Sequence, residues 1–481
     1  MAKRKRAGDT NEVALTTSGP AKKTKSSSEP LAVDTAAPLT IQVVTGSYDH
    51  ILHGLTATIT AQGHVEFADT FLFNAHNSAI RCLALSPPSL PEPGKAQKVM
   101  LASGSSDERV NIYNLSAHPL SRRGKDALSS VAPRKISENS KNRELGTLLH
   151  HTSTITKLSF PTRSKLISSS EDSTIAVTRT RDFSLLSTIK APIAQPQGRP
   201  SGDTAALGGT PSGVNDFAVH PSMKLMISVS KGERSMRLWN LMTAKKAGVL
   251  NFSRAMLQQV GEGRHSGEGR KVIWGTTEDG DEFCVGFDRE LLVFGMDSTP
   301  KCRVMPDLKR KIHECTYVAI DAKSDSSLLV VSTEDGKIVF FSTKSEDLCR
   351  SDGLEADKKE GKLPVAKLIG EMGGKENGVS VRIKDFAISR RMDDLIISAG
   401  CSDGNVHIFR VGIVELEEAR NAKGVRQIGK LLGSYQTHNR ITCIEHFLMI
   451  PRPDGVEESE DESDGLSSEE DGDEEEEDVD E

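Results

Sequence analysis

One short pattern recurs along this 481-residue chain and limits the folds open to it: a strand whose apolar side chains return at every second position. It reads Ile80-Arg81-Cys82-Leu83-Ala84-Leu85, and it returns at Ile155–Phe160, Val214–Val219, Cys315–Ile320, Ile383–Ile388 and Ile441–Ile444. Period two is the mark of a half-buried strand. A second strand follows and ends in small or polar residues, as in Met100–Ser105, Leu166–Ser170, Leu225–Ser230, Leu328–Thr333 and Leu395–Gly400. Next comes a tight acidic turn: Ser106-Asp107-Glu108, Glu171-Asp172-Ser173, Glu334-Asp335-Gly336 and Ser402-Asp403-Gly404. These residue types favour hairpins. A third strand, such as Val110–Leu115 or Met236–Leu241, and a weaker fourth complete the unit. Four antiparallel strands, repeated, predict the blades of a β-propeller.

The two ends settle the number of blades. Residues 41–73 supply a second, third and fourth strand without a first, whereas Ile441–Met449 is a first strand with nothing after it. The fragments are expected to pair into one composite blade, which removes the free sheet edges that would template aggregation. Val272–Trp274, Glu282–Asp288 and Leu291–Phe294 mark a degenerate blade, expected to be the weakest, between residues 252 and 306. The sequence therefore predicts an all-β, seven-bladed propeller over residues 41–450, closed by pairing of N-terminal strands with a C-terminal strand. Insertions fall at 116–144, 191–213, 252–270 and 343–364. Loops after fourth strands (191–213, 252–270, 370–380) should share a face with the acidic turns, and 116–144, 343–364 and 412–426 should lie on the opposite face. With only 4% aromatic residues, the core is expected to rest on Val, Ile, Leu and Ala.

Charge is segregated along the chain. Residues 454–481 hold 18 Asp and Glu and no Lys or Arg, which leaves 61 basic against 50 acidic residues elsewhere. Such a balance suits nucleic acid, ribonucleoprotein or acidic protein partners. Residues 1–40 and 451–481 are expected to be disordered tails, because neither can bury a core. Lys3, Arg4, Lys5 and Arg6, followed by Lys22, Lys23 and Lys25, have the pattern of a two-part nuclear localisation signal. In the acidic tail Ser459, Ser467 and Ser468 each stand three residues before an acidic one and are candidate phosphorylation sites. Seven cysteines without a Cys-x-x-Cys pair argue against a disulfide framework and a zinc knuckle, and point to a reducing compartment. An N-terminus without an apolar run, and no apolar stretch long enough to span a bilayer, predict neither secretion nor membrane insertion.

The unit resembles the WD repeat, with departures. The Gly-His that often opens a repeat is reduced to His76, His151 and His438, and the closing Trp-Asp survives as Trp239-Asn240 and Tyr113-Asn114. Three segments are more distinctive: Val43–His50, Leu101–Glu108, and Val214–Pro221 running on to Met236–Met242. On these the chain is similar to the maintenance-of-killer and PAK-inhibitor-like WD-repeat proteins, a family of large-ribosomal-subunit (pre-60S) assembly factors. The resemblance implies a non-catalytic scaffold of the nucleus and nucleolus that binds assembly factors and ribosomal proteins on large-subunit precursors and could touch rRNA. It also implies a monomeric subunit of a larger ribonucleoprotein, with no cofactor and no membrane. The family's naming implies an alternative, a regulator that binds and inhibits a p21-activated-type protein kinase.

Repetition also decides how polar residues are read. His76, Ser105, Asp107, His151, Asp172, Asp335, Asp403, His438 and Trp239 are assigned to a structural hydrogen-bond network, since they recur at blade spacing whereas a catalytic Ser-His-Asp set occurs once. His313 with Cys315, and Cys401 with His407, are too sparse for a metal shell. Gly261-Glu-Gly-Arg-His-Ser-Gly267 lacks the Gly-Lys-Ser/Thr of a phosphate loop. Candidate partner-binding residues are Lys231, Arg234, Arg289 and Arg440 on the face of the acidic turns. Arg122, Arg123, Lys125, Arg134, Lys135, Lys141 and Arg143 form a second basic group, in the 116–144 insertion.

Overall fold

A computed structural model describes residues 38–92, 95–119, 142–193, 212–260, 267–306, 310–320, 326–349, 363–422 and 424–451. The localisation-like residues Lys3, Arg4, Lys5, Arg6, Lys22, Lys23 and Lys25 lie outside the described residues, as do Ser459, Ser467 and Ser468. So do the insertion cations other than Arg143.

The described strands form seven sheets, antiparallel throughout except for one short parallel pair at the edge of blade six. Blade one holds β1 (Leu39–Ser47), β2 (Ile51–Ile59) and β3 (Val65–Asn74). Blade two is β4 (Ile80–Leu85), β5 (Lys98–Ser105), β6 (Val110–Ser116) and β7 (Arg143–Leu148). Blade three is β8 (Ile155–Thr162), β9 (Lys165–Ser170), β10 (Thr174–Arg179) and β11 (Leu185–Lys190). Blade four is β12 (Val214–Val219), β13 (Leu225–Ser230), β14 (Ser235–Asn240) and β15 (Lys245–Asn251), followed by the short helix α1 (Arg254–Gln259). Blade five is β16 (Lys271–Thr277), β17 (Gly280–Gly286), β18 (Leu291–Gly295) and β19 (Pro300–Val304). Blade six is β20 (Ile312–Ala319), β21 (Ser327–Thr333), β22 (Lys337–Ser342) and β23 (Lys367–Gly373). Blade seven is β24 (Ile383–Arg391), β25 (Asp394–Cys401), β26 (Asn405–Gly412) and β28 (Lys430–Gln436); between β26 and β28 lie helix α2 (Ile413–Asn421) and the two-residue β27 (Arg426–Gln427), which adds to β23 at the edge of blade six. The last strand, β29 (Ile441–Leu448), completes blade one.

Closure takes the expected form. β29 lies antiparallel to β1, with Ile41 opposite Leu448 and Gly46 opposite Cys443. First strands of neighbouring blades touch in one closed cycle, from β29 through β4, β8, β12, β16, β20 and β24 back to β29. Outside the ladder, Tyr48 donates its amide to Arg440 O (2.8 Å), and Thr442 donates its hydroxyl to Ile80 O (2.6 Å), joining blades one and two. Tyr435 donates to the same Asp69 carboxylate oxygen that contacts His53, at 2.6 and 2.7 Å, which ties blade seven to blade one.

Packing follows from alternation. One face of each sheet must bury its apolar side chains against the next sheet, and seven hydrophobic clusters result, one per seam between neighbouring blades. Backbones come close where strand two ends in glycine. A Cβ on Gly104 would meet Ile155 at 2.6 Å, and one on Gly46 would meet Ile80 at 2.6 Å. The turn between strands two and three also repeats, placing His50, Glu108, Ser173, Gly232, Gly336 and Gly404 in left-handed backbone. Outside glycine that conformation costs about 1 kcal/mol, and the hydrogen bonds of the adjacent aspartates offset it.

Blade five is complete despite its degenerate sequence. It has four full strands, and its seam with blade four stacks Phe283 on Phe294 at 5.2 Å and sets Phe252 edge-on to Phe287 at 5.5 Å. Concentrating the few aromatics here replaces the missing repeat signature with apolar area, so the core is not uniformly aliphatic. Two loop expectations also change. Residues 370–373 belong to β23, and most of 412–426 is α2, which buries Ile413, Leu416 and Ala419 against blades six and seven.

Candidate functional site

Histidine, serine and aspartate meet inside the blades. His76 Nδ1 lies 3.1 Å from Asp107 Oδ2, and its Nε2 lies 2.8 Å from the hydroxyl of fully buried Ser103. Asp107 also accepts the amides of Asn77 and Arg109. Burial opposes its charge, but the Asn77 amide, His76 and the Arg109 amide hold its carboxyl below the usual range. Ser105 stands apart from the histidine, donating to Ser78 O at 3.0 Å and accepting the Asp107 amide. Blade three repeats the set with His151, Asp172 and Ser168. Serine and imidazole are both buried within the blade, where they hold strands together.

The remaining network residues take smaller roles. Trp239 donates its indole N–H to Ser228 Oγ at 2.8 Å. Asp335 accepts from Thr333, and Asp403 accepts from the backbone and side chain of Asn405. His438 is exposed in left-handed backbone, and the buried polar side chain of that turn is Thr437, which donates to Gly404 O at 2.8 Å. Among the described residues no group of His, Cys, Asp and Glu is placed to hold a metal ion.

A larger charged assembly fills the central channel, a space of about 650 Å³. Six first strands carry a bulge at or next to their second residue, seen as register shifts at Ile80/Cys82, Ile155/Lys157, Val214/Asp216, Ile312/Cys315, Ile383/Asp385 and opposite Gly46/Ser47. A bulge re-aims side chains. Arg81, Thr156, Asn215, Lys384 and Thr442 consequently line the channel mouth, with Lys157, Lys271, Glu314, Asp385 and Glu445 also on its wall.

Two aspartates staple the inner ring. Asp216 Oδ1 accepts the Phe217 amide and Oδ2 accepts the Val272 amide of the next blade, at 2.9 and 3.0 Å, with Lys157 Nζ 3.7 Å from Oδ1. Asp385 repeats this with Phe386 and Ile444 at 2.8 and 2.9 Å. Lys271 pairs with Glu314, and although burial disfavours both charges each holds the other ionised. Burial, and then the charge of Glu314, pushes Asp385 well above the usual carboxylate range. Glu445 is raised by burial, and then by Asp385, to about 8.

A carboxyl whose folded pKa is raised binds its proton more tightly folded than unfolded. Its stabilising contribution is fully present below the unfolded pKa and is lost as pH rises through the folded one. The protein should therefore lose stability between about pH 5 and about pH 9 through Glu445. Glu445→Gln should remove that part of the slope. Denaturant titrations of both proteins across this range measure it, and parallel slopes would contradict the assignment.

The proposed partner-binding cations have individual surroundings. Lys231 is paired with Glu171 at 2.7 Å, and Arg440 lies over the Tyr48 ring, 5.4 Å from its centroid. Arg234 packs along Gly267, Arg289 is exposed in the β17–β18 turn, and Arg143 is exposed on β7. Arg382, Arg440 and Arg81 gather with Lys384, and their charges press on its ammonium. For Arg81 and Lys384 the signal in the sequence is the polar second residue of the first strand.

Comparison with known proteins agrees with this architecture. A model described as "WD domain, G-beta repeat" matches residues 142–177, the stretch from β7 to β10. Protein MAK11 of Saccharomyces cerevisiae is 28% identical, over 78% of this chain and 78% of its own length. The p21-activated protein kinase-interacting protein 1-like proteins of Danio rerio and Xenopus laevis are 22% and 21% identical, covering 84% and 87% of this chain and 80% and 84% of their own. The chain is thus a seven-bladed β-propeller with a WD repeat, similar over most of its length to Protein MAK11 and to the p21-activated protein kinase-interacting protein 1-like proteins.

Proposed function

We propose that this propeller is a non-catalytic platform in assembly of the large ribosomal subunit, holding assembly factors and ribosomal proteins on its precursors in the nucleus and nucleolus during rRNA processing. The observation that carries the reading is similarity to Protein MAK11 over 78% of both chains, together with the three segments that resemble the maintenance-of-killer family of large-subunit assembly factors. Chemistry supports it. The polar sets of blades two and three are consumed in holding strands together, which leaves a stiff ring whose loops and channel mouth are free to bind. Segregated charge suits a ribonucleoprotein setting, and Lys3–Arg6 with Lys22–Lys25 would direct nuclear entry. A second reading, a regulator of a p21-activated-type kinase, is favoured by the name of the vertebrate relatives.

Affinity purification of the tagged full chain with mass spectrometry tests both, at about 0.1 M and about 1 M salt, between which the screening length falls from ~10 to ~3 Å. Large-subunit proteins and precursor rRNA should be retained at the lower salt. A kinase complex free of ribosomal proteins would overturn the first reading in favour of the second. In the same cells, unchanged nuclear accumulation of a chain lacking residues 1–30 would remove the targeting role.

A further inference from the structure

We propose that the channel mouth on the face of the acidic turns is a docking point for the carboxylate side chains of an acidic peptide from a partner protein. Arg81 and Lys384 occupy equivalent second positions on β4 and β24, on either side of Thr442 on β29, so their side chains converge from blades two and seven on the channel. Among the described residues neither has an ion-pair partner. Arg382 and Arg440, each next to the start of a first strand, add two guanidinium groups to the same side. Burial, and then the nearness of Arg382, Arg440 and Arg81, lowers the Lys384 pKa, with Glu334 opposing them only in part.

A second observation points to a missing ligand. The Nε2 atom of His313 on β20 is buried at this mouth without a hydrogen-bond partner, and an orphaned buried polar atom costs about 1–3 kcal/mol. The acidic residues deeper in the channel are already engaged: Glu314 with Lys271, and Asp385 with two amides. They cannot also neutralise the rim.

The surroundings select the kind of anion. Asp49, Asp107, Asp172, Glu334 and Asp403 ring the same face from the turns, and they would repel an extended polyphosphate backbone lying across it. A short acidic side chain entering the channel passes inside that ring. This proposal does not depend on the ribosomal reading, because an acidic peptide could be bound in either setting.

Fluorescence anisotropy with a labelled short peptide carrying a central Glu-Glu pair, added to the full chain, tests it. Arg81→Gln and Lys384→Gln, singly and together, are compared with Lys245→Gln/Lys246→Gln, an exposed charge-matched change on β15. Circular dichroism melting confirms that each variant folds, and the single variants serve if the double one does not. The double channel variant should weaken binding about tenfold or more while the β15 variant leaves it unchanged. Equal weakening by both, or no binding by the full chain, would overturn the proposal. So would tighter binding of a single-stranded oligouridylate that displaces the peptide, which identifies RNA as the occupant. Peptide binding that emerges only after residues 454–481 are removed would overturn it too, since the occupant would then be this chain's own acidic tail.

Discussion

A chain ending at Arg440 should show no cooperative melting transition and should aggregate, while one ending at Pro451 melts like the full-length protein. The shorter chain lacks β29, and with it the side chains of Ile441, Cys443 and Ile444, each at most 3% exposed. Burial of these three contributes roughly 5 kcal/mol, a large part of the 5–15 kcal/mol by which a typical native protein is stable. The hydrogen bonds from β29 to β1, and from Thr442 to Gly46 and Ile80, go as well. What remains is a six-bladed arc with β1 as an open edge, a template for intermolecular pairing. Calorimetry with light scattering reads both effects, and a normal transition in the shorter chain would refute closure by the C-terminal strand.

Asp216→Ala should lower stability by about 3–5 kcal/mol, because it strips the partners from a buried charge and two buried amides at once. The carboxylate is fully buried and joins β12 to the first strand of the next blade through Phe217 and Val272. Removing it also leaves Lys157 facing the channel without its nearest counter-ion. In thermal melts the expected fall in Tm is on the order of 5–10 °C. Asp216→Asn, which keeps one acceptor and the side-chain volume, should recover part of the loss. A change under about 1 kcal/mol for Asp216→Ala, the range of surface substitutions, would show that the inter-blade bond carries little.

The ring and its closure were legible because they rest on period-two alternation and turn chemistry, which survive where the repeat's hallmark residues have been lost. Trp239 and Tyr113 stand at matching places although only one is the expected tryptophan. The inner charges were not legible for a reason in the fold itself. In a half-buried strand the polar positions are read as facing solvent, but in a propeller's first strand they face a channel, and the bulge at the second residue breaks the alternation that would reveal them. Lys157, Asp216, Lys271, Glu314 and Asp385 therefore look like ordinary surface polar residues until seven strands are brought round one axis. Smaller departures have local causes. Ser103 rather than Ser105 meets His76 because Ser105, two residues further along the same face, sits at the turn and bonds Ser78 O and the Asp107 amide, and Thr437 holds the bonds of its turn because the repeat is offset there by one residue. Helix α2 had a readable signal in Ile413, Leu416 and Ala419 at three-residue spacing, within a stretch otherwise rich in exposed Glu and Arg.

The proposed role of the closed propeller, a platform on precursors of the large ribosomal subunit, is tested most directly by gradient sedimentation of a nuclear extract containing the tagged full chain. The protein should travel with particles that contain large-subunit precursor rRNA, and the chain ending at Arg440 should be absent from those fractions. Sedimentation of the intact, folded chain only in light fractions, clear of ribosomal proteins and rRNA, would contradict it.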